Sequence, residues 1–218
     1  CFFLFLLDSP IFTEAQEITA DELRADMAFL KKRLVQKHPG LYQYISEAKY
    51  DSLYQYLYAN TPQKLSIREA YRYIAPLITS IQDAHTSYKV PKKMVSKKPQ
   101  TLPLHIRKFG ENYYIALNGS DDTTMQRGDK LLAIDEEPIE KVIEKLKTVY
   151  GTDNNNNVSK HYYSTRYFSN FYYKYYGEKD SVQLSFVHND TLRLTKIASL
   201  TAKATTANLK KRYKNIFR

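Results

Sequence analysis

Hydrophobic spacing changes partway along the chain, and that change constrains the fold more than any single motif. From residue 19 to residue 81 apolar side chains recur every three or four positions, the period of a helix with one buried face. From residue 102 they alternate every second position, the period of a half-buried strand. A chain of 218 residues that switches once must build its helices and strands in separate runs. The expected class is therefore α+β: an N-terminal helical bundle followed by a small β-barrel or sandwich domain with helices.

The helical part carries its own start and stop signals. Thr19-Ala20-Asp21-Glu22 fits a capping box, in which the Thr hydroxyl and the Glu carboxylate each satisfy a free backbone N–H. Leu23, Met27, Leu30 and Leu34 follow at helical spacing, and Pro39-Gly40 stops the helix. A second helix starts near Ser46 and turns Tyr50, Leu53, Tyr54 and Leu57 inward. Ser66-Ile67-Arg68-Glu69 is another capping box, opening a third helix with Tyr71, Ile74, Ile78 and Ile81 inward and Pro76 as a kink.

In the second part, Leu102, Leu104 and Ile106 alternate up to a turn at Gly110-Glu111, and Tyr113, Ile115 and Leu117 return. Lys130–Ile134 is a compact strand, and Pro138 opens a helix carrying Ile139, Val142, Ile143 and Leu146. After Asn154–Asn157 comes a tyrosine-rich helix, then a hairpin around Asn189-Asp190 with Val182, Leu184 and Phe186 on one strand and Leu192 and Leu194 on the other. The boundaries this implies are a leader remnant at 1–16, a helical domain at 17–92, a strand-rich domain at 93–200 and a basic linker at 201–218.

Composition excludes several classes. There are six Gly, no two closer than nine residues, so neither a dinucleotide fingerprint nor a P-loop can form. One Cys, at position 1, rules out a disulfide framework and Cys-rich zinc sites, and the five His include no His-Glu-x-x-His pair. No metal or organic cofactor is expected. The net charge of +10 gathers in residues 91–108 and 196–218, which hold thirteen Lys and Arg and no acid. Without them the remainder is slightly acidic, so solvated linkers are favoured over a nucleic-acid partner.

At the amino terminus Cys1 to Leu7 is unbroken apolar, too short to cross a bilayer, and Asp8-Ser9-Pro10 interrupts it. It reads as the tail of a signal-peptide apolar region with cleavage after Ala15, or as a buried strand; the first points to a periplasmic or secreted destination. Cys1 precedes the apolar run, which argues against a lipid anchor.

Three stretches, taken together, resemble the tail-specific, C-terminal-processing-like serine peptidases of family S41. They are His38-Pro39-Gly40-Leu41-Tyr42; Ile74-Ala75-Pro76-Leu77 running into Ile81-Gln82-Asp83-Ala84-His85-Thr86; and Arg127-Gly128-Asp129-Lys130-Leu131-Leu132-Ala133-Ile134-Asp135 with Pro138-Ile139. The last looks like the later half of a PDZ domain. The resemblance implies a helical domain, a PDZ-like substrate domain and a downstream α/β core carrying the nucleophilic Ser. Two positions depart from the pattern, Ala84 and Glu136, both where the motifs usually have Gly.

In the tricorn-like branch of that family a His near the end of the helical domain is the base for the core's Ser, which implies that role for His85. Imidazole suits it, since its unperturbed pKa of about 6.5 lets it take and return a proton near neutrality. Asp83 could orient the loop by accepting backbone N–H groups. The structural alternative makes Asp83–Thr86 a helix stop, with His favoured there by the dipole. No Ser lies in a nucleophile elbow, and Asp121-Asp122 and Glu136-Glu137 read as turn acids pointing apart.

Residues 162–176 hold nine aromatic rings, with Tyr163, Tyr167 and Phe171 on one helical face and Phe168, Tyr172 and Tyr175 beside them. Such a stripe either grips a partner or is wedged between domains with its hydroxyls reaching water, and the second is favoured. A PDZ-like half implies peptide capture by strand addition, with Tyr113–Leu117 or its neighbours as the edge. The functional expectation is an N-terminal portion of a secreted serine peptidase whose partners are polypeptide substrates or protein C-termini. The alternative is a non-catalytic peptide-binding module.

Overall fold

The structure, a computed structural model, describes residues 17–88 and 97–215. The expected leader remnant, most of the Pro91–Pro99 stretch and residues 216–218 lie outside the described residues.

Both capping boxes form as the sequence expects. The Thr19 and Ser66 hydroxyls accept from the N–H groups of Glu22 and Glu69, whose carboxylates reach back to the cap N–H. They open α1 (Ala20–Lys37) and α3 (Ile67–Thr79), with α2 (Glu47–Ala59), capped by Ser46, between them. The residues before the two boxes, β1 (Glu17–Thr19) and β2 (Lys64–Ser66), pair antiparallel, so α1 and α3 start side by side. Met27, Leu41, Tyr50, Tyr54, Leu57, Leu77 and Ile81 make the helical core.

The second part is an antiparallel sheet in the order β4-β5-β6-β8-β9, with β7 pairing on β6. Its strands are β4 (Leu104–Phe109), β5 (Asn112–Asn118), β6 (Lys130–Ile134), β7 (Glu137–Pro138), β8 (Ser181–His188) and β9 (Thr191–Ala198). Period-two alternation sends Ile106, Tyr113, Ile115, Leu131, Val182, Leu184 and Phe186 to one face, where α4 (Ile139–Lys147) contributes Ile139, Val142, Ile143 and Leu146. The α+β class is as expected.

The tyrosine-rich run is two helices instead of one, α5 (Asn157–Arg166) and α6 (Phe168–Tyr176). The chain breaks at Tyr167, whose φ of −112° and ψ of 34° leave the helical region. The break lets Phe168, Phe171, Tyr172 and Tyr173 bury while Tyr162 and Tyr167 stay exposed. Rings meet across the break: Tyr163 stacks on Tyr167, and Tyr150 touches both Tyr163 and Phe171. α6 sits against α3, where Arg68 donates to the carbonyls of Tyr173 and Lys174 and Arg72 lies over the Tyr175 ring. The wedged reading of the run matches this packing.

The basic C-terminal stretch, expected as a linker, is ordered here. β10 (Leu200–Thr201) pairs with β3 (Gln100–Thr101) and leads into α7 (Ala202–Arg212), capped by Thr201. The Arg212 guanidinium donates to the carbonyls of Asn118, Ser120 and Asp122, and Asn208 donates to Gly119 O. Gly119 is what permits the approach, since a Cβ there would stand 2.8 Å from Thr205 Cγ2. Charge counting missed this because a guanidinium can saturate carbonyl oxygens as readily as it can face water.

Candidate functional site

After α3 the chain must turn sharply, and it does so at Gln82, with φ of 57°. The sequence pointed to Ala84 as the position in conflict with its backbone; Ala84 is not among the positive-φ residues, and the strain falls two positions earlier. At the other departure, Asp135 and Glu136 have φ of 48° and 66°, so Glu136 does occupy the left-handed conformation that glycine favours.

Asp83 then organises the loop. One carboxylate oxygen accepts the His85 N–H at 2.8 Å, and the other accepts the Thr86 hydroxyl at 2.6 Å and faces His38 Nε2 at 3.1 Å. These bonds, the Thr86 hydroxyl first, hold the Asp83 carboxyl below its ordinary pKa. His38 caps α1, and its Nδ1 accepts the Gly40 N–H. That leaves the proton on Nε2, aimed at Asp83 Oδ2 and at Thr86 Oγ1, 2.6 Å away. His38 is the residue that sequence reasoning passed over: it stands in the His-Pro-Gly stretch, but its partners lie 45 and 48 positions away.

The loop is tied from the strand-rich side as well. Asp153 accepts the Ala84 N–H at 2.8 Å, and Asn154 donates to Gln82 O. Beyond Thr86, Tyr88 stacks on Tyr71 and donates its hydroxyl to Tyr71 O. Ala84, Thr86 and Tyr88 line a cavity of about 260 Å³ with Gly151 and Phe171. His85 itself is exposed, and among the described residues its ring has no hydrogen-bond partner. The arrangement is a fixed backbone presenting a free imidazole.

A second feature lies beside the sheet. The expected edge, Tyr113–Leu117, is in β5, which pairs with β4 on one side and β6 on the other, so it is interior. Its neighbour β4 is the sheet edge, flanked by α5. Between the β4–β5 hairpin, α4 and α5 runs a groove of about 670 Å³, lined by Arg107, Lys108, Glu144, Lys147 and Tyr162 among others. Across it the Tyr113 hydroxyl meets His161 Nε2 at 2.8 Å. Burial, then the charges of Lys108 and Lys147, push the His161 pKa down, so the neutral ring accepts from Tyr113.

At the start of β4 the backbone offers little to a carboxylate. Pro103 has no N–H, the Leu104 N–H is spent on Leu102 O, and the Ser169 hydroxyl caps the carbonyls of Leu102 and Leu104. The paired acids serve turns: Asp122 bonds Thr124 and Thr195, and Glu137 bonds Tyr176 and Lys145. Among the described residues no cluster of three His, Cys, Asp or Glu could hold a metal, and no helix is long and apolar enough to cross a membrane.

Comparisons with known proteins bear on the fold. A comparison with curated protein sequences found no match. Among solved structures the chain is similar to mature CPAF (TM-score 0.57), to mature CPAF complexed with lactacystin (0.55) and to a mutant of CPAF (0.58). Each is 16% identical, with 82% of this chain covered, and the chain spans 34% of the length of each. Residues 98–193, the segment that holds β4 to β8, the first residues of β9, and α4, α5 and α6, match the PDZ domain family.

Proposed function

We propose that this chain is the helical and PDZ-like portion of an extracytoplasmic serine peptidase resembling family S41. In this reading His85 is the general base, Asp83 and His38 are positioning residues, and the serine comes from a core region of a longer polypeptide. The observation that carries the reading is the exposed, unbonded His85 ring on a backbone fixed by Asp83. A structural histidine at a helix end can bond the last carbonyls of that helix, and the His85 ring makes no such bond among the described residues.

The chemistry follows from the imidazole. Its free nitrogen takes the proton of the serine hydroxyl as the oxygen attacks a peptide carbonyl, and returns it to the departing amine. Water then repeats the sequence on the acyl-enzyme. The PDZ-like part would hold the polypeptide in the groove between β4 and α5. Pro103, which has no N–H, and Leu104, whose N–H is spent on Leu102 O, favour an internal extended segment over a free C-terminus. The extracytoplasmic placement rests on the apolar run at Phe2–Leu7.

The test uses a polypeptide that continues past Arg218 into the serine-bearing region. A fluorophosphonate probe labels it, and His85→Ala lowers turnover by about 10²–10⁴ with thermal stability unchanged. The 218-residue chain alone is unlabelled. If His85→Ala instead destabilises the protein while the folded fraction keeps its activity, the residue is structural. The groove favours a second reading, a non-catalytic peptide-binding module; peptide affinity without any serine labelling in the longer polypeptide would select it.

A further inference from the structure

The sheet has two edges, and they are treated differently. β4 is flanked by α5 and α6, whereas β9 ends the sheet with no further strand paired on it among the described residues, the Asp122 carboxylate reaching it only through the Thr195 side chain. Thr191 to Leu194 are all exposed, and Leu192 and Leu194 are each 62% exposed. The two-residue turn at Asn189-Asp190 makes His188 and Thr191 a bonded pair, so the alternation directs the N–H and C=O of Arg193, Thr195 and Ile197 at β8. Those of Leu192, Leu194 and Lys196 point outward, and among the described residues no backbone or side-chain group meets them. A row of unpaired donors and acceptors with two apolar side chains is a template for another strand.

We propose that β9 pairs antiparallel with β9 of a second copy of this chain, with Leu194 on the twofold axis. Self-pairing is isologous, so every residue faces one set by the same sum of positions. With Leu194 opposite Leu194, Leu192 faces Lys196, whose aliphatic stem can cover it. Arg193 faces Thr195, whose hydroxyl is bonded to the Asp122 carboxylate. The Arg193 guanidinium, which has no ion-pair partner within its own described chain, thereby meets an acid across the interface. Moving the axis one residue back would set Arg193 against Arg193, and two residues forward would set Lys196 against Lys196. Like charges thus disfavour both of these registers. The outcome is one sheet continuous across two copies, independent of whether the chain belongs to a peptidase.

Light scattering over a concentration series, on the 218-residue chain, reads the assembly directly. Wild type is expected to dimerise, and Leu194→Lys, which sets two ammonium groups on the axis and removes both leucines, to raise the dimer Kd by about a hundredfold. At concentrations where both chains are monomeric, its circular dichroism and melting should match wild type, since the side chain is exposed. Register is read by disulfide trapping with Cys1 replaced by Ser. Leu194→Cys places two thiols on residues about 5.5 Å apart at Cα, within disulfide range, and crosslinks under mild oxidation. Arg193→Cys, which faces Thr195, does not. A wild type monomeric at every concentration overturns the proposal, as does a dimer insensitive to Leu194→Lys. Equal crosslinking by both cysteine variants, or a monomer that instead takes up an extended peptide along β9, overturns it as well.

Discussion

A single carboxylate, Asp83, holds the backbone that presents His85. Removing it with Asp83→Ala takes away two bonds to a charged acceptor and the partner of His38, a cost of about 2 kcal/mol. The readout specific to positioning is amide exchange: the His85 and Thr86 N–H groups should exchange faster in the variant than those of α1. The same loop should respond to acid. Because the folded pKa of Asp83 is depressed, its contribution is complete above the unfolded value of about 3.9 and is lost as pH falls through the lower, folded value. Exchange at His85 that stays slow down to the acid unfolding of the whole chain would contradict this.

Two other histidines set a different window. His105 and His161 both have pKa values pushed down, first by burial and then by neighbouring Arg or Lys charges. The unfolded chain then binds protons that the folded chain refuses. Stability should therefore fall as pH drops below about 6.5 and keep falling until the folded values are reached. Melting temperature measured from pH 7.5 to 5 should show that decline, and His105→Gln with His161→Gln should flatten it. Only tertiary packing creates this behaviour, since neither residue is distinguished by its sequence neighbours.

At the scale of elements, local signals carried most of the structure. Capping boxes opened α1 and α3 where the sequence placed them, and period-two alternation assigned the buried face of β4, β5 and β8. Element ends governed by distant partners were illegible. The break at Tyr167 and the helix at Ala202–Arg212 depend on what α6 and α7 dock against, and helix propensity says nothing of that. The turn between β6 and β7 shows the converse, a local cost the fold tolerates. Glu136 is exposed with φ of 66°, and its neighbour Asp135 holds the turn through the Gln183 N–H and Lys179. Glu136→Gly should stabilise the protein by about 1 kcal/mol, seen as a higher melting temperature. An unchanged or lower value would mean that the Glu136 side chain contributes something its exposure does not suggest.

At the scale of the molecule, we propose that residues 17–92 and 93–200 are two folding units joined through the Pro91–Pro99 stretch, and that α3 clamps them. Tyr71 and Ala75 of α3 belong to the sheet-side core, while Leu77 and Ile81 belong to the helical core. Tryptic cleavage is expected first after Lys92, Lys93 or Lys97, because the prolines that flank this lysine-rich stretch disfavour helix and central strand alike. The two fragments should nevertheless stay associated on gel filtration. Arg68→Ala, which frees the carbonyls of Tyr173 and Lys174, should let the nicked pieces separate more readily. Fragments of wild type that part at once would show that the clamp is weak.

By itself the sequence determined what depends on near neighbours: helix starts, strand faces, the Asn189-Asp190 hairpin and the placement of His85 just after a helix. Those features follow from backbone groups and side chains within a few positions, where spacing and residue type suffice. Tertiary structure alone decided which histidine supports which. His38 reaches Asp83 across 45 positions, Arg212 reaches Asn118 across 94, and β9 is left as an open edge because no later segment pairs with it among the described residues. Such contacts are fixed by how the two cores meet, a sum of many burial terms that no local pattern encodes.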